Sequence, residues 1–459
     1  MSAFEGRPAI EDALSTAIRE GLSAGCTEVE AFASSVRVKQ VLAEHGTCSS
    51  SRLSLEYGVF VRAAVGKRVG VSFVNSLALP DVRDCSRQAA RTASLRPEDA
   101  SWGGFPAARG KSSSVKGILD ASVENLEMSD LVESCETLIG ASADFHRSVT
   151  AASAAVEVRD TSRGVENTSG VSVFSRDAML SAHCYCVSGK GSRVTPECGE
   201  GGASRRTDMD FESLGESAAE IAVLSSRRAQ PSAGEFDIVF SPFALGYADG
   251  GLVRSILGSA LSGESVARGK SFFAGRVGDR VSSDILTVRD NPRAAGRCGS
   301  RPFDDEGVPT DRTELIESGV LRGFMWDSSS ASIGGTRSTG NARRDPWSGA
   351  LAVKPNNMEV VPSKLSWREL CEDVRRGYLV WACQGGHTSN METGNFSFVA
   401  SPGLMIQDGE IVGGVRGTMV SGNMVELLGK VDLVGGDVRD LGDCLMPSMR
   451  FRDVRVYTG

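Results

Sequence analysis

The chain has 459 residues, of which 41% are hydrophobic and 24% charged, and its formal net charge at pH 7 is −8. This composition excludes a disordered chain, and the lack of any block of basic residues argues against a nucleic-acid-binding surface. At about 100–200 residues per domain, the length predicts two to four domains. Histidine occurs only at His45, His146, His183 and His387, which limits any mechanism that needs imidazole as a metal ligand or base.

Residues 1–110 are predicted to form a first α+β domain. Apolar residues recur at 3.6-residue spacing in its helical segments, whereas its strand segments alternate between apolar and polar residues. The predicted elements are, in chain order, a helix over 7–25, strands over 28–41, 53–65 and 70–74, and a helix over 81–94.

A segment rich in Gly, Pro and Ser at 101–116 predicts a linker to a second α+β domain over 117–228. The elements predicted in this domain are a helix over 129–143, strands over 150–159, 170–175 and 178–187, and a helix over 211–228.

The last domain is predicted over residues 232–459 and is rich in strands. It opens with a strand at 236–240, after which Ser241 and Pro242 suit the start of one helix that extends to Ala260. Hairpins are predicted at 314–325 and 405–412, and a further helix is predicted from Ser366 to residue 376. The predicted fold class is therefore α+β, with two small blocks followed by a large strand-rich domain.

The localisation predicted from the sequence is cytoplasmic. The N-terminal segment has no apolar core of a secretory signal, and no apolar run approaches the ~20 residues that cross a bilayer. We therefore expect no membrane contact, and we expect the 11 cysteines to be buried thiols rather than disulfides.

Two groups of cysteine and histidine side chains have alternative interpretations. His183, Cys184 and Cys186, with Cys198 beyond them, are suitable zinc ligands, but strand alternation and the lack of a second cysteine pair favour buried strand cysteines. A nucleophilic pair could likewise include Cys383 and His387, although a turn at the end of a strand explains the same residues.

Two loops are candidates for binding. The FDDEGVPT loop at 303–310 places Asp304, Asp305 and Glu306 in a tight turn, which would suit either a cation site or a solvated turn. The glycine-rich segment at 334–344 lacks the lysine of a phosphate-binding loop, but its Arg337 and Asn341 could recognise a ligand backbone.

Several longer segments, in this order and spacing, resemble the TldD/PmbA family, also called modulators of DNA gyrase. The segments are GESVARGKSFFAGRVGDRVSSDILTV (263–288), FDDEGVPT (303–310), RSTGN (337–341), TGNFSFVASPGLMIQDGEIVGGV (393–415) and MPSMRFRDVRV (446–456). The resemblance extends over nearly the whole chain and implies a three-part α+β architecture related to metallopeptidases.

The sequence departs from this family at the catalytic motif. The resemblance implies that TldD-type members bind zinc through an H-E-x-x-x-H helix and a C-terminal cysteine, with the glutamate as general base. The matching positions here carry Arg254, Ser255 and Ser259, and the segment 435–443 contains no cysteine. We therefore predict no catalytic residues, no metal ligands and no cofactor in this chain, and expect zinc only in a TldD-type partner.

The resemblance thus implies a PmbA-like, non-catalytic subunit of a heterodimeric zinc metallopeptidase that acts on unfolded peptides or peptide precursors. The expected partners are a TldD-type catalytic subunit and a peptide substrate, with no nucleic acid. One alternative is a homodimeric module that binds peptides or proteins and has no peptidase activity. Another is a hydrolase that uses a different catalytic set.

Overall fold

The first half of the chain forms one antiparallel sheet covered by helices. A computed structural model describes residues 6–108, 113–247, 251–345 and 349–459, so part of the predicted 101–116 linker lies outside the described residues. The helices are α1 (Arg7–Ser23), α2 (Leu79–Leu95), α3 (Ala121–Glu124), α4 (Met128–Phe145) and α5 (Phe211–Ser226). The strands are β1 (Glu28–Glu44), β2 (Thr47–Val65), β3 (Arg68–Val74), β4 (Val149–Asn167), β5 (Ser172–Ser188) and β6 (Cys198–Ser204).

These six strands pair in the order β3-β2-β1-β4-β5-β6, so the central neighbours β1 and β4 come from different predicted domains. The boundary predicted between the first two domains therefore separates two lengths of chain that share a sheet. Helices α1 and α2 pack on β1 and β2, while α4 and α5 pack on β4 and β5. Gly70 allows α2 to approach the sheet, because a Cβ there would lie 2.3 Å from the carbonyl oxygen of Ala89.

The C-terminal half contains larger sheets with short helices between them. The helices are α6 (Pro242–Gly246), α7 (Leu252–Ala260), α8 (Gly263–Ala267), α9 (Ser328–Ile333) and α10 (Met424–Gly429). The strands are β7 (Gly234–Phe240), β8 (Val288–Asp290), β9 (Thr313–Glu317), β10 (Val320–Leu321), β11 (Ala342–Arg344), β12 (Leu351–Val353), β13 (Met358–Val360), β14 (Arg376–Val380), β15 (Cys383–Gln384), β16 (Asn395–Ala400), β17 (Gly403–Gln407), β18 (Glu410–Val415), β19 (Thr418–Asn423), β20 (Val431–Val434), β21 (Arg439–Asp440), β22 (Cys444–Met446) and β23 (Met449–Thr458).

A nine-stranded sheet contains β7 at its centre, between β14 and β23, and a six-stranded sheet runs in the order β10-β9-β8-β13-β22-β21. The largest apolar core lies between these two sheets and includes the buried face of α7. A second core joins α4 and α5 to β14 and β17, so the two halves of the chain share buried apolar surface. The combination of helices with mostly antiparallel sheets confirms the predicted α+β class.

Turn residues predicted both hairpins correctly. Ser318 and Gly319 have φ of 46° and 80°, and Asp408 and Gly409 have φ of 49° and 84°, as a tight hairpin turn requires. No helix in the described residues is long and apolar enough to span a membrane.

Four predicted elements were wrong in their bounds or their type. The strands predicted at 170–175 and 178–187 are one continuous strand, β5, because it pairs along its length with β4. The helix predicted to run from Ser241 to Ala260 is instead the two helices α6 and α7. The helix predicted from Ser366 is a series of turns, since the following residues pair with β7 as β14.

Candidate functional site

Helix α7 carries the three positions that the resemblance matches to the zinc motif. Its apolar side chains face the core, so Arg254, Ser255 and Ser259 remain on the more accessible side. The Arg254 guanidinium forms a two-pronged ion pair with Asp443, in which Nε donates to Oδ1 at 2.6 Å. Cys444 follows Asp443 but points into the core, where burial raises the pKa of its thiol.

The Asp304 side chain, predicted as a candidate ligand, organises its own loop. It is fully buried, and Oδ1 accepts hydrogen bonds from the backbone N–H groups of Glu306 at 3.0 Å and Val308 at 2.9 Å. The other oxygen, Oδ2, accepts from the backbone N–H of Ala342 at 3.1 Å. Burial and the adjacent Glu306 carboxylate raise the pKa of Asp304 well above its usual range. Asp304 therefore joins the 303–310 loop to β11.

Glu306 belongs to a buried ion network that connects the two halves of the chain. Arg62 on β2 donates to Glu306 Oε1 at 2.8 Å and forms a two-pronged pair with Glu30 on β1, also at 2.8 Å. Arg344 on β11 is a second partner of Glu30. Burial opposes ionisation, but Arg62 and the backbone N–H of Ser328 hold the pKa of Glu306 below its usual value. Each carboxylate in the network thus has a cationic partner.

The remaining candidate residues have different environments. Asp305 accepts from the backbone N–H of Arg344 at 2.7 Å and lies 3.1 Å from the Nη1 atom of Arg301. Asn341 is buried and donates to Asp290 Oδ2 at 2.7 Å, which fixes the start of β11. The side chain of Arg337 is exposed and lines a second cavity together with Arg62 and Glu306.

An open cavity of about 400 Å³, which we name the arginine pocket, lies where the first sheet meets the C-terminal half. Its sheet wall comes from β1, β2 and β4, and its other wall comes from α7, β11 and the adjoining loops. The lining includes the cations Arg163, Arg254, Arg301, Arg343, Arg344 and Lys354, the carboxylates Glu56, Asp305 and Asp443, and the rings of Phe32, Tyr57 and Phe60.

Only Arg254 and Asp305 among these lining residues were singled out as candidates in the sequence. The others are spread over several strands and loops that are distant in the sequence, and no short motif joins them. One usable signal was Glu30, because a carboxylate within an otherwise buried strand pattern predicts a partner such as Arg62 or Arg344.

Comparisons with known proteins agree with this architecture. A sequence model described as the PmbA/TldA metallopeptidase C-terminal domain matches residues 233–458. The crystal structure of TldE from Thermococcus kodakarensis superimposes with a TM-score of 0.89 and 29% identity, over 97% of this chain and 99% of that chain. Residues 233–458 therefore belong to the TldD/PmbA family, and the whole chain has the fold of TldE.

Curated relatives of the family include a metalloprotease from Methanothermobacter thermautotrophicus, 34% identical over 54% of this chain and 53% of that protein. A metalloprotease TldD homolog from Buchnera aphidicola (strain APS) is 28% identical over 53% of this chain and 52% of that protein. The chain thus spans about half the length of these curated relatives.

The family implies a zinc site, and the residues present at the matching positions do not fit one. A guanidinium is a permanent cation with no lone pair for a metal, and a serine hydroxyl is a poor neutral ligand. The Asp443 carboxylate at this position is held by Arg254 in an ion pair. A metal ion placed there would have to displace a charge-assisted pair and would face a cation.

The cysteine and histidine groups suggested by the sequence lie elsewhere. Cys184 and Cys186 share the buried face of β5 with their sulfur atoms 3.6 Å apart, and their hydrogen bond and burial raise the pKa of Cys184. Burial also raises the pKa of Cys383, which opposes formation of a nucleophilic thiolate, and His387 is exposed. In the four described ranges, no cluster of three His, Cys, Asp or Glu side chains could hold a metal ion.

The buried carboxylate of Asp177 predicts a pH-dependent stability. Burial raises its pKa, but Arg163 and Arg205 outweigh that effect and hold the pKa below the ordinary 3.8. A folded-state pKa below the unfolded value means that ionised Asp177 stabilises the fold above about pH 4. This stabilisation is lost as the pH falls through the folded-state pKa.

We therefore expect the Asp177→Asn variant to be less stable than the wild type at pH 7, and the difference to shrink as the pH is lowered to 3. Urea unfolding at a series of pH values measures the difference in unfolding free energy. If the difference in unfolding free energy between the two proteins stayed constant with pH, ionised Asp177 would not be the source of the stabilisation.

Proposed function

We propose that this protein is a PmbA-like, non-catalytic subunit of a cytoplasmic heterodimeric zinc metallopeptidase that acts on unfolded peptides or peptide precursors. The observation that carries the proposal is the ion pair between Arg254 and Asp443. In the proposed complex, a TldD-type subunit supplies the zinc and the general base. This chain supplies a scaffold of the same family in which the metal position holds an internal ion pair.

The chemistry of that ion pair supports a role without metal. The guanidinium donates two hydrogen bonds to the carboxylate, an arrangement that is stronger than a single neutral hydrogen bond. Ser255 and Ser259 cannot act as a base at neutral pH, because a hydroxyl holds its proton there. The accessible side of α7 therefore offers neither a metal ligand nor a general base.

An extended peptide could be held at the edge of the first sheet. Strand β3 is the edge strand, and its Val71 and Phe73 are 51% and 47% exposed. An added strand would form backbone hydrogen bonds to β3, which give affinity without strong sequence preference. Such binding suits a subunit that presents unfolded peptides of varied sequence to a catalytic partner.

Co-expression with an H-E-x-x-x-H homologue from the same genome tests the proposal. We expect a stable complex that contains zinc contributed by the homologue and cleaves an unfolded peptide, with cleavage abolished by a chelator. The chain alone is expected to bind no zinc in stoichiometric amount and to leave the peptide intact. Metal analysis and chromatography of both samples measure these outcomes.

A matched pair of variants sharpens the test. Replacing the catalytic glutamate of the homologue should abolish cleavage by the complex, whereas Ser255→Ala and Ser259→Ala in this chain should leave cleavage unchanged. Stoichiometric zinc and chelator-sensitive cleavage in the chain alone would refute the proposal. A stable homodimer that never associates with the homologue would favour a homodimeric peptide-binding module instead.

A further inference from the structure

We propose that the arginine pocket binds the terminal carboxylate of a peptide whose last side chain is apolar. The assignment of a peptide as ligand rests on the proposed function. The charge, the unsatisfied donors and the shape of the pocket are independent of it.

The charges that line the pocket favour an anionic ligand. Of the six lining cations, four have a carboxylate partner: Arg163 with Asp177, Arg254 with Asp443, Arg301 with Asp305, and Arg344 with Glu30. In the described parts of the chain, Arg343 and Lys354 form no ion pair, and the only other carboxylate in the lining is Glu56. Because Asp177 also pairs with Arg205, the lining keeps a surplus of positive charge, which favours an anionic ligand such as a carboxylate.

Among the described residues, buried nitrogen atoms of three lining arginines have no hydrogen-bond acceptor. Arg301 is only 4% exposed, yet its Nε and Nη1 atoms have no hydrogen-bond partner, although Nη1 lies within ion-pair distance of Asp305. The Nε atoms of Arg163 and Arg344 are also buried without an acceptor. Buried donors are normally satisfied. The unsatisfied donors of these arginines add positive potential to the cavity, which favours a carboxylate over a neutral ligand.

Part of the sheet wall of the pocket is apolar and suits the last side chain of a peptide. Phe32 and Phe60 lie on adjacent strands with their ring centroids 6.1 Å apart, and Val36 continues the same face of β1. The guanidinium of Arg344 lies 5.4 Å from the centre of the Phe32 ring, so the cationic and apolar parts of the pocket adjoin. A volume of about 400 Å³ is within the range of small-ligand sites and accommodates a chain end.

The test compares a fluorescently labelled tetrapeptide that ends in leucine with a free carboxylate and the same peptide as its C-terminal amide. Binding to the full-length chain is followed by fluorescence anisotropy. We expect the amide to bind at least about tenfold more weakly, because it loses a charge-assisted contact. Arg343→Gln and Lys354→Gln should each weaken binding of the free acid severalfold and leave binding of the amide unchanged.

Arg322→Gln is the matched control, because Arg322 is an exposed arginine outside the pocket, and it should not change binding. Equal binding of acid and amide would overturn the proposal, as would variants of Arg343 and Lys354 that bind like the wild type. Displacement of the peptide by inorganic phosphate at the same concentration as the free-acid peptide would assign the site to phosphate and would also overturn it. The chain is tested alone, so a failure here is distinct from a failure to form a heterodimer.

Discussion

Replacing Arg62 with alanine is expected to lower the unfolding free energy by about 3–5 kcal/mol, the usual cost of removing one partner from a buried ion pair. Arg62 is the shared partner of Glu30 and Glu306, whose side chains are 0% and 1% exposed. Without the guanidinium, two carboxylates in the interior would have to be desolvated close to each other. Arg344 would still neutralise Glu30 in part.

Two further variants test whether the loss of stability comes from the lost charge, from the lost volume or from an effect common to surface arginines. Arg62→Met retains most of the volume, so a similar loss of stability would identify charge as the cause. Arg322→Ala removes an exposed arginine whose partner Glu317 is 54% exposed, and it should cost at most about 1 kcal/mol. The midpoint of urea unfolding measures all three. A shift for Arg62→Ala no larger than that for Arg322→Ala would show that the buried network does not stabilise the fold.

The second large effect is expected for Asp290→Ala, at the end of β8. Asp290 is fully buried and accepts hydrogen bonds from the backbone N–H groups of Asn356 at 2.9 Å and Asn357 at 2.7 Å, and from the Asn341 side chain at 2.7 Å. Removing the carboxylate leaves these donors buried without an acceptor, which costs about 1–3 kcal/mol for each group. We expect a total loss of at least about 3 kcal/mol.

The same variant should weaken ligand binding in the arginine pocket. Asp290 fixes Asn341 and Asn356, which bracket the β11–β12 hairpin that carries Arg343 and precedes Lys354. Asp284→Ala is the matched control, because Asp284 is exposed and near in sequence, and it should change neither stability nor binding. Unfolding by urea and anisotropy with the free-acid peptide measure both effects. An Asp290→Ala variant as stable as the wild type would show that water replaces the carboxylate at no cost.

Local sequence signals predicted those elements whose conformation depends on neighbouring residues. The turns at Ser318-Gly319 and Asp408-Gly409 need positive φ, which glycine and aspartate tolerate, so both hairpins were predictable. Ser241 was likewise predictable as a helix cap, and its Oγ accepts from the backbone N–H of Ala244 at 3.0 Å. Each of these features involves contacts within a few residues of chain.

Elements that depend on distant contacts were predicted less well. Ser366 and Glu369 form the reciprocal bonds of a capping box, with the Ser366 N–H donating to the Glu369 carboxylate at 2.6 Å, yet no helix continues from them. The segment that follows instead pairs with β7, because burial of Tyr378 and its neighbours between two cores outweighs local helix propensity. Similarly, the pairing of β1 with β4 joins blocks that local composition separates.

The sequence by itself determined which chemical groups the motif positions can offer. The resemblance implies metal-binding histidines at the positions of Arg254 and Ser259, and no change of conformation can turn a guanidinium into a zinc ligand. Only the tertiary structure decided what these groups contact. Arg254 pairs with Asp443, and Arg301 lines the same pocket as Arg343. In both cases the two residues are far apart in the chain. Such contacts depend on how the sheets stack, because burial and ion pairing act between surfaces rather than along the sequence.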